Sequence, residues 1–180
     1  MAVVRKVALT GGIACGKTAV TGVLRRAGIP VVDADEIVHG LIPPEERKRL
    51  AKTVFADPAA RKALEARIHP LVKSRIGRFF DETEGDFAVA VVPLLFETGW
   101  DGEYDIICSV VSSAENQFER MMSTRGYSRE EAEGRMAAQM PVSEKALKSQ
   151  YVIKNDGTVD ELEEATEEFI RWLKAAEKPR

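Results

Sequence analysis

The sequence predicts a three-layer α/β fold, with a five-stranded and mostly parallel sheet between helices on both faces. Five short apolar runs alternate along the 180-residue chain with segments of helical periodicity. Strands that are apolar on both faces are typical of a parallel sheet covered by helices, whose crossovers are right-handed. A glycine-rich loop also follows the first run directly, and such folds bind their ligands where the strands end.

Each predicted strand ends at a loop or turn signal. The five strands are Val7–Leu9, Ile29–Val32, Phe87–Val92, Ile106–Val111 and Tyr151–Ile153. The first predicted helix follows the glycine-rich loop and should end at Gly28, because glycine favours the position after a helix and Pro30 cannot continue one.

Local capping signals predict where the later helices begin. Three capping boxes, each a serine or threonine followed three residues later by glutamate, start at Ser112, Ser128 and Thr158. A further N-cap is expected at Asp35. His69-Pro70 has two interpretations, a substrate contact or the break between one helix ending near Ile68 and another starting at Pro70.

Composition limits the class of protein. The chain has 44% hydrophobic residues, enough for a core, and a net charge of −3, which gives no basic face for nucleic acid. No apolar stretch approaches the length of a membrane span, and no signal peptide is visible, so a cytoplasmic protein is expected. We expect one domain over residues 1–180, with helical excursions at about 36–80 and a lid at about 120–140, and we favour a monomer.

The loop itself carries the strongest chemical signal. Residues 11–18 fit Gly-x-x-x-x-Gly-Lys-[Ser/Thr], the loop that wraps the phosphates of a nucleoside triphosphate. Its backbone N–H groups would face phosphate oxygens, Lys17 would reach the β and γ phosphates, and the hydroxyl of Thr18 would bind Mg²⁺. The predicted binding residues are Gly11, Gly12, Ile13, Ala14, Cys15, Gly16, Lys17 and Thr18. Guanine is disfavoured because Asn-Lys-x-Asp is missing, so ATP is the expected nucleotide.

A carboxylate one strand away from the phosphate loop predicts kinase chemistry. Asp33 follows the second strand, where it could accept the proton of an acceptor hydroxyl. The alternative is that Asp33 only caps a turn or helix. Four arginines between the fourth and fifth strands could belong to a phosphate-closing lid or to a solvated helix face; they are Arg120, Arg125, Arg129 and Arg135.

Several segments together resemble the dephospho-coenzyme A kinase family over nearly the whole chain. The segments are Leu9–Ile13 before the phosphate loop, Asp33-Ala34-Asp35, His69-Pro70, Val92-Pro93-Leu94-Leu95-Phe96-Glu97, Gln117 with Arg120, Gln139, and Ile153-Lys154-Asn155-x-Gly157. The resemblance implies a three-layer P-loop kinase that transfers the γ-phosphate of ATP to the 3′-hydroxyl of dephospho-coenzyme A, the last step of coenzyme A synthesis.

The resemblance also implies roles for individual residues. Asp33 would be the base, Lys17 and the loop amides would hold ATP, and Thr18 would hold Mg²⁺. Asn155 would lie beside adenine, and Arg125 would be the catalytic lid arginine. The acceptor, dephospho-coenzyme A, would be bound by Arg47, His69 and Glu97. For Arg47 a solvated helix face is the alternative.

The chain departs from the family pattern at three places. The segment between His39 and Arg47 is shorter by more than a helix, in the part that helps enclose the acceptor. Thr124 stands where a lid arginine is usual, so Arg125 is one residue displaced. Cys15 replaces a frequent serine; close to a helix N-terminus, its thiol is expected to be reactive and its alkylation to block ATP. Two further hypotheses stay open, a kinase for a smaller nucleoside-like or nucleotide-like acceptor and a non-catalytic nucleotide-binding regulator.

Overall fold

The predicted α/β architecture is confirmed by the computed structural model, which describes residues 4–43, 45 and 58–176. Its sheet has five strands in the order β2-β3-β1-β4-β5, and every neighbouring pair is parallel. The strands are β1 Arg5–Gly11, β2 Val31–Asp33, β3 Phe87–Val91, β4 Ile106–Val111 and β5 Tyr151–Lys154. All carboxyl ends therefore meet at one edge of the sheet.

Helices cover both faces of this sheet. They are α1 Lys17–Arg26, α2 Ala34–Leu41, α3 Pro58–Glu82, α4 Ala114–Arg125, α5 Arg129–Ala137, α6 Val142–Leu147 and α7 Val159–Ala175, with a 3₁₀ turn at Asp101–Glu103. None of the described helices is long and apolar enough to cross a membrane.

The alternation of side chains along β1 divides the core in two. Val7 and Leu9 point to a cluster with α1 and α7, whereas Ala8 points to a cluster with α2 and α3. The small side chain of Ala8 on the second face lets the helices on that side lie close to the sheet. The loop after β1 is thus held between two packed layers.

The second strand begins two residues later than predicted, for a local reason. Gly28 adopts φ 74° after α1 and donates its N–H to Arg25 O, while the Ile29 N–H donates to Leu24 O. These two bonds form a Schellman motif, which satisfies the last carbonyls of the helix. Ile29 is therefore part of the helix terminus, and β2 begins at Val31.

Two predicted capping boxes are present, at Ser128 and Thr158. The predicted box at Ser112 is wrong, because Ser113 is the N-cap of α4 and accepts from the Asn116 N–H. The predicted cap at Asp35 is also wrong. Asp33 caps α2, since its side chain accepts from the N–H groups of Asp35 and Glu36.

Of the two interpretations of His69-Pro70, the helix break is wrong. Helix α3 runs without interruption from Pro58 to Glu82 with Pro70 inside it. Ile68 and Val72, on either side of the proline, pack in the same cluster as α2 and β3. This tertiary packing holds the helix together although proline removes one internal hydrogen bond.

Candidate active site

The phosphate loop connects β1 to α1 in a conformation that its glycines permit. Gly11 has φ 143°, and a Cβ built there would lie 2.2 Å from the backbone oxygen of Val110. Gly16 has φ 97°, and its Cβ would lie 2.2 Å from Nδ2 of Asn155. A side chain at either position would meet a neighbouring strand or loop, so the motif glycines are also required by packing.

Lys17 and Thr18 lie at the first turn of α1. The Lys17 ammonium donates to the carbonyl oxygens of Gly11, at 3.0 Å, and Gly12, at 2.8 Å. Burial lowers the pKa of Lys17 to about 8. The side chain therefore lies against the loop with its charge poorly solvated, as suits a group that will contact phosphate. Thr18 is exposed and lines the cleft in front of the loop.

A buried polar network supports the loop from behind. Asn155 Nδ2 donates to the carbonyl oxygen of Cys15 at 2.9 Å, and Arg120 donates to the backbone oxygens of Asn155, at 2.9 Å, and Ala14, at 3.3 Å. Ser112 also donates to Asn155 O at 2.7 Å. In this structure Asn155 thus orders the loop that would hold the phosphates. Sequence reasoning missed the support by Ser112 and Arg120, because no local pattern pairs either residue with the loop.

A cleft of about 430 Å³ extends in front of the loop. It is lined by Ile13, Ala14, Gly16, Lys17, Thr18, Asp33, Asp35, Val91, Pro93, Arg120, Thr124, Arg125 and Gln139. The three residues expected to act in catalysis, Lys17, Asp33 and Arg125, therefore lie around one cavity at the carboxyl edge of the sheet.

Asp33 is held in place by the start of α2. Its Oδ1 accepts from the Asp35 N–H at 2.8 Å and from the Glu36 N–H at 3.4 Å. Among the described residues, no group donates a hydrogen bond to Oδ2. Burial raises the pKa of Asp33 above its ordinary value. One oxygen is thus fixed by the helix and the other is available to a ligand.

Two of the four candidate lid arginines face the cleft. Arg120 lines the cleft and also belongs to the network that supports the loop. Arg125 is the exposed last residue of α4, beside Thr124. Arg129 instead pairs with Glu133 at 3.0 Å, and the Arg135 guanidinium lies 4.3 Å from the centre of the Tyr127 ring. Arg125 is one residue away from the usual position of the lid arginine. It still lines the cleft, because it lies at the end of α4.

A second cavity of about 300 Å³ adjoins the cleft and is predominantly apolar. It lies between α2, α3 and the segment 92–100, and Asp35 and Pro93 line both cavities. His69 lies in its wall with its ring 5.5 Å from that of Trp100, edge to face. This placement next to Asp33 suits a site for the phosphoryl acceptor.

The other two predicted acceptor residues have different positions. Glu97 Oε1 contacts the Lys145 ammonium at 2.9 Å and accepts from the Met140 N–H at 2.9 Å. Within the described residues, neither cavity is lined by Glu97. Arg47 lies outside the described residues.

The expectation of a reactive thiol at Cys15 is wrong. The residue has 0% of its surface exposed, and burial raises the pKa of the Cys15 thiol, although Lys17 and the Gly12 backbone partly oppose this shift. Its side chain points into the core beneath the loop instead of towards the cleft. The helix N-terminus cannot produce a reactive thiolate where the sulfur is excluded from water. Cys108 is also fully buried.

Comparison with known proteins agrees with this geometry. The family model described as dephospho-CoA kinase matches residues 5–46 and 44–161. The dephospho-CoA kinase of Symbiobacterium thermophilum is 41% identical over 181 residues, which cover 87% of this chain and 76% of that protein. The enzyme of the same name from Geobacter sulfurreducens is 38% identical over 193 residues, covering 93% of this chain and 97% of that protein.

Solved structures share the fold. A crystal structure of a Thermus thermophilus protein, 33% identical, superposes with a TM-score of 0.80 over 96% of this chain and 99% of that one. The dephospho-CoA kinase of Campylobacter jejuni, 23% identical, has a TM-score of 0.71 and covers 94% of this chain and 97% of its own.

The alignments also bear on the shortened segment. The Geobacter alignment spans 193 positions although this chain has 180 residues, so that relative contains residues with no counterpart here. The two stretches matched by the family model meet at residues 44–46, within the segment where a deletion was expected. The phosphate loop, the carboxylate after β2 and these matches together show that the chain belongs to the dephospho-CoA kinase family.

Proposed function

We propose that this enzyme transfers the γ-phosphoryl group of ATP to the 3′-hydroxyl of dephospho-coenzyme A. The observation that carries the proposal is the arrangement of the two cavities. The cleft in front of the phosphate loop, which Asp33 lines, adjoins an apolar pocket, and Asp35 and Pro93 line both cavities. This arrangement suits a donor phosphate and an acceptor hydroxyl brought together beside a carboxylate.

The donor side would be bound mainly through the backbone. The N–H groups of the loop and the N-terminus of α1 attract phosphate oxygens, and Lys17 would exchange its contacts with loop carbonyls for the terminal phosphates. Magnesium prefers oxygen ligands and is usually held by one or two protein groups together with substrate phosphates. The exposed hydroxyl of Thr18 fits this requirement and would hold the ion, which neutralises part of the phosphate charge when bound.

Asp33 would act as the general base. Its Oδ2 takes the proton of the 3′-hydroxyl while that oxygen forms a bond to the γ-phosphorus, and the bond from phosphorus to the bridging oxygen of ADP breaks. The bonds from α2 to Oδ1 keep the carboxylate oriented without occupying both oxygens. Arg120 and Arg125, which line the same cleft, would stabilise the charge on the transferred group.

The acceptor would occupy the apolar pocket. Its lining of aliphatic side chains, with His69 and Trp100, can bury an uncharged part of a large substrate. We expect Arg47 to contact the acceptor as well, so Arg47→Ala should raise the KM of the acceptor and leave that of ATP unchanged.

The test is a product assay with ATP, magnesium and a panel of acceptors that contains dephospho-coenzyme A, nucleosides, nucleotides and shikimate. Coenzyme A, identified by its mass and by the position of its new phosphate in NMR spectra, is the expected product. Phosphorylation of a smaller acceptor in preference to dephospho-coenzyme A would replace the substrate in the proposal. A protein that binds ATP but phosphorylates none of the acceptors would instead be a regulator.

A further inference from the structure

Lys145 is a buried cation next to the active site. It is 0% exposed, and it is the largest of the fully buried side chains among the described residues. Lysine is almost never fully buried unless its charge is paired. Its ammonium donates to the backbone oxygen of Pro93 at 2.8 Å and pairs with Glu97 at 2.9 Å. The roles described for the phosphate loop and Asp33 do not explain why a charged side chain is buried at this position.

The backbone of Lys145 is anchored to a central strand. Its carbonyl oxygen accepts from the hydroxyl of Ser109, in β4, at 3.3 Å and from that of Ser149 at 2.8 Å. The side chain extends from this anchor to the loop that follows β3. Because β1 lies between β3 and β4, Lys145 crosses the carboxyl end of β1.

The end of β1 is also the start of the phosphate loop. Thr10, in β1, donates its hydroxyl to the same oxygen of Pro93 at 3.2 Å. Val142, one turn before Lys145 in α6, packs against Gly12, where an added Cβ would lie 2.4 Å from Val142 Cγ1. Helix α6 therefore contacts the phosphate loop through Val142. Through Lys145 it also binds Pro93, which lines the cleft.

Glu97 completes a connection between three segments. Its Oε1 binds the Lys145 ammonium and also accepts from the N–H of Met140, which follows helix α5 in the region where the sequence predicts a lid. The preceding residue, Gln139, accepts the N–H of Ile13 in the phosphate loop at 3.0 Å. Short polar contacts thus join the segment after α5, the phosphate loop and the segment after β3.

Stability alone is a weak reason for such a pair. Removing two charges from water costs several kcal/mol per ion, and well-packed apolar residues are often as stabilising or more so. The position of the pair is more informative, because Pro93 lines both the nucleotide cleft and the apolar pocket. A shift of this residue would change the separation of the two substrates.

We propose that the Lys145–Glu97 pair is a positioning device, which fixes Pro93 between the two cavities and so sets the geometry of donor and acceptor. The inference rests on the proposed function. Glu97 then acts through Lys145 as a positioning residue. This role replaces the substrate contact that the sequence predicted for Glu97. A misplacement of about 1 Å between reacting groups can cost about 100-fold in rate.

The test compares Lys145→Met, Glu97→Gln and the double variant with wild type, at a temperature where circular dichroism shows each to be folded. Arg171→Met is the control, since Arg171 forms an exposed pair with Glu167 on α7. Three quantities are measured: kcat for transfer, the Kd of ATP in the absence of acceptor, and the ratio of ATP hydrolysed to acceptor phosphorylated.

We expect Lys145→Met to lower kcat by about 10- to 100-fold, with the Kd of ATP changed less than about threefold, and hydrolysis to rise relative to transfer. The double variant should be no worse than Lys145→Met, because the two residues act as a unit. Lys145→Arg should recover most of the activity.

Folded Lys145→Met or Glu97→Gln with wild-type kcat and wild-type hydrolysis ratio would overturn the proposal. So would losses that simply follow a lowered melting temperature, with Lys145→Arg equally impaired. If Lys145→Met does not fold, Glu97→Gln decides, since its amide can still accept from the Met140 N–H. Wild type that fails to phosphorylate dephospho-coenzyme A refutes the proposed function instead, and the variants are then compared on the acceptor that wild type does use.

Discussion

The two sides of the active site are built from different interactions. On the phosphate side, the backbone groups of Ile13, Ala14 and Cys15 are each held by a side chain from elsewhere in the fold, at 2.9 to 3.3 Å. On the acceptor side, the pocket between α2 and α3 is lined mostly by aliphatic and aromatic groups. One side is therefore determined by directional polar contacts and the other by shape and apolar area.

This difference corresponds to what each side must do. A transferred phosphoryl group carries charge that only fixed dipoles and cations can stabilise, so small displacements are costly. Apolar burial is non-directional and tolerates repacking. The two sides should therefore respond unequally to substitution.

The largest effect is expected at Asp33, which lines the cleft in front of the phosphate loop. Asp33→Asn should lower kcat by about 10²- to 10⁴-fold, because it removes a positioned general base. ATP should still bind, and the fold should be retained, since asparagine caps a helix as well as aspartate does. Steady-state kinetics and the Kd of ATP measure both parts. Because burial raises the Asp33 pKa, wild-type activity should fall towards acid pH, and this decline should be missing from Asp33→Asn.

Asp33→Ala separates catalysis from capping. It should lose the same activity and also about 1 kcal/mol of stability through the lost cap. Asp35→Asn should cost much less activity, because Asp35 is exposed within the first turn of α2 and makes no cap. If Asp35→Asn is impaired as severely as Asp33→Asn, the assignment of the general base to Asp33 is wrong.

The next effect concerns pH and the donor side alone. Lys17 loses its charge as the pH rises through its pKa of about 8, so kcat/KM for ATP should fall about tenfold per unit above that value. At saturating ATP the decline of kcat should move to higher pH, because bound phosphate favours the ammonium form. A profile of kcat/KM that stays flat to about pH 10, near the ordinary lysine pKa, would contradict the assignment.

A smaller effect is expected on the acceptor side. His69→Ala should raise the KM of the acceptor by about 3- to 10-fold, corresponding to the roughly 1 kcal/mol of a partly buried contact, with kcat and the KM of ATP unchanged. Leu71→Ala is the matched control, because Leu71 lies on the same helix and is 53% exposed. Equal changes for ATP and acceptor in His69→Ala would show that the two sides are not separable.

The smallest effect is expected from thiol reagents. Both cysteines are buried with raised pKa values, so a maleimide should leave native enzyme almost fully active and should label Cys15 and Cys108 only in denaturant. Mass spectrometry before and after unfolding measures the labelling. Rapid labelling of native Cys15 that ATP prevents would mean that the loop opens in solution.

Local sequence was sufficient wherever a short pattern has a direct physical consequence. The order of strands and helices followed from apolar periodicity, the phosphate loop followed from its motif, and Gly28 marked the end of α1. Two of the three capping boxes were present as predicted. These features depend on residues within a few positions of one another, so neighbouring residues determine them.

Tertiary structure decided the features that depend on distant partners. Packing of Ile68 and Val72 kept α3 intact through Pro70, and burial beneath the loop raised the pKa of the Cys15 thiol. The role of Lys145 was also invisible in the sequence, since its partners Pro93 and Glu97 lie about fifty residues earlier. The burial and charge environment of a side chain are set by segments that come together only when the sheet assembles, and a local pattern does not contain that information.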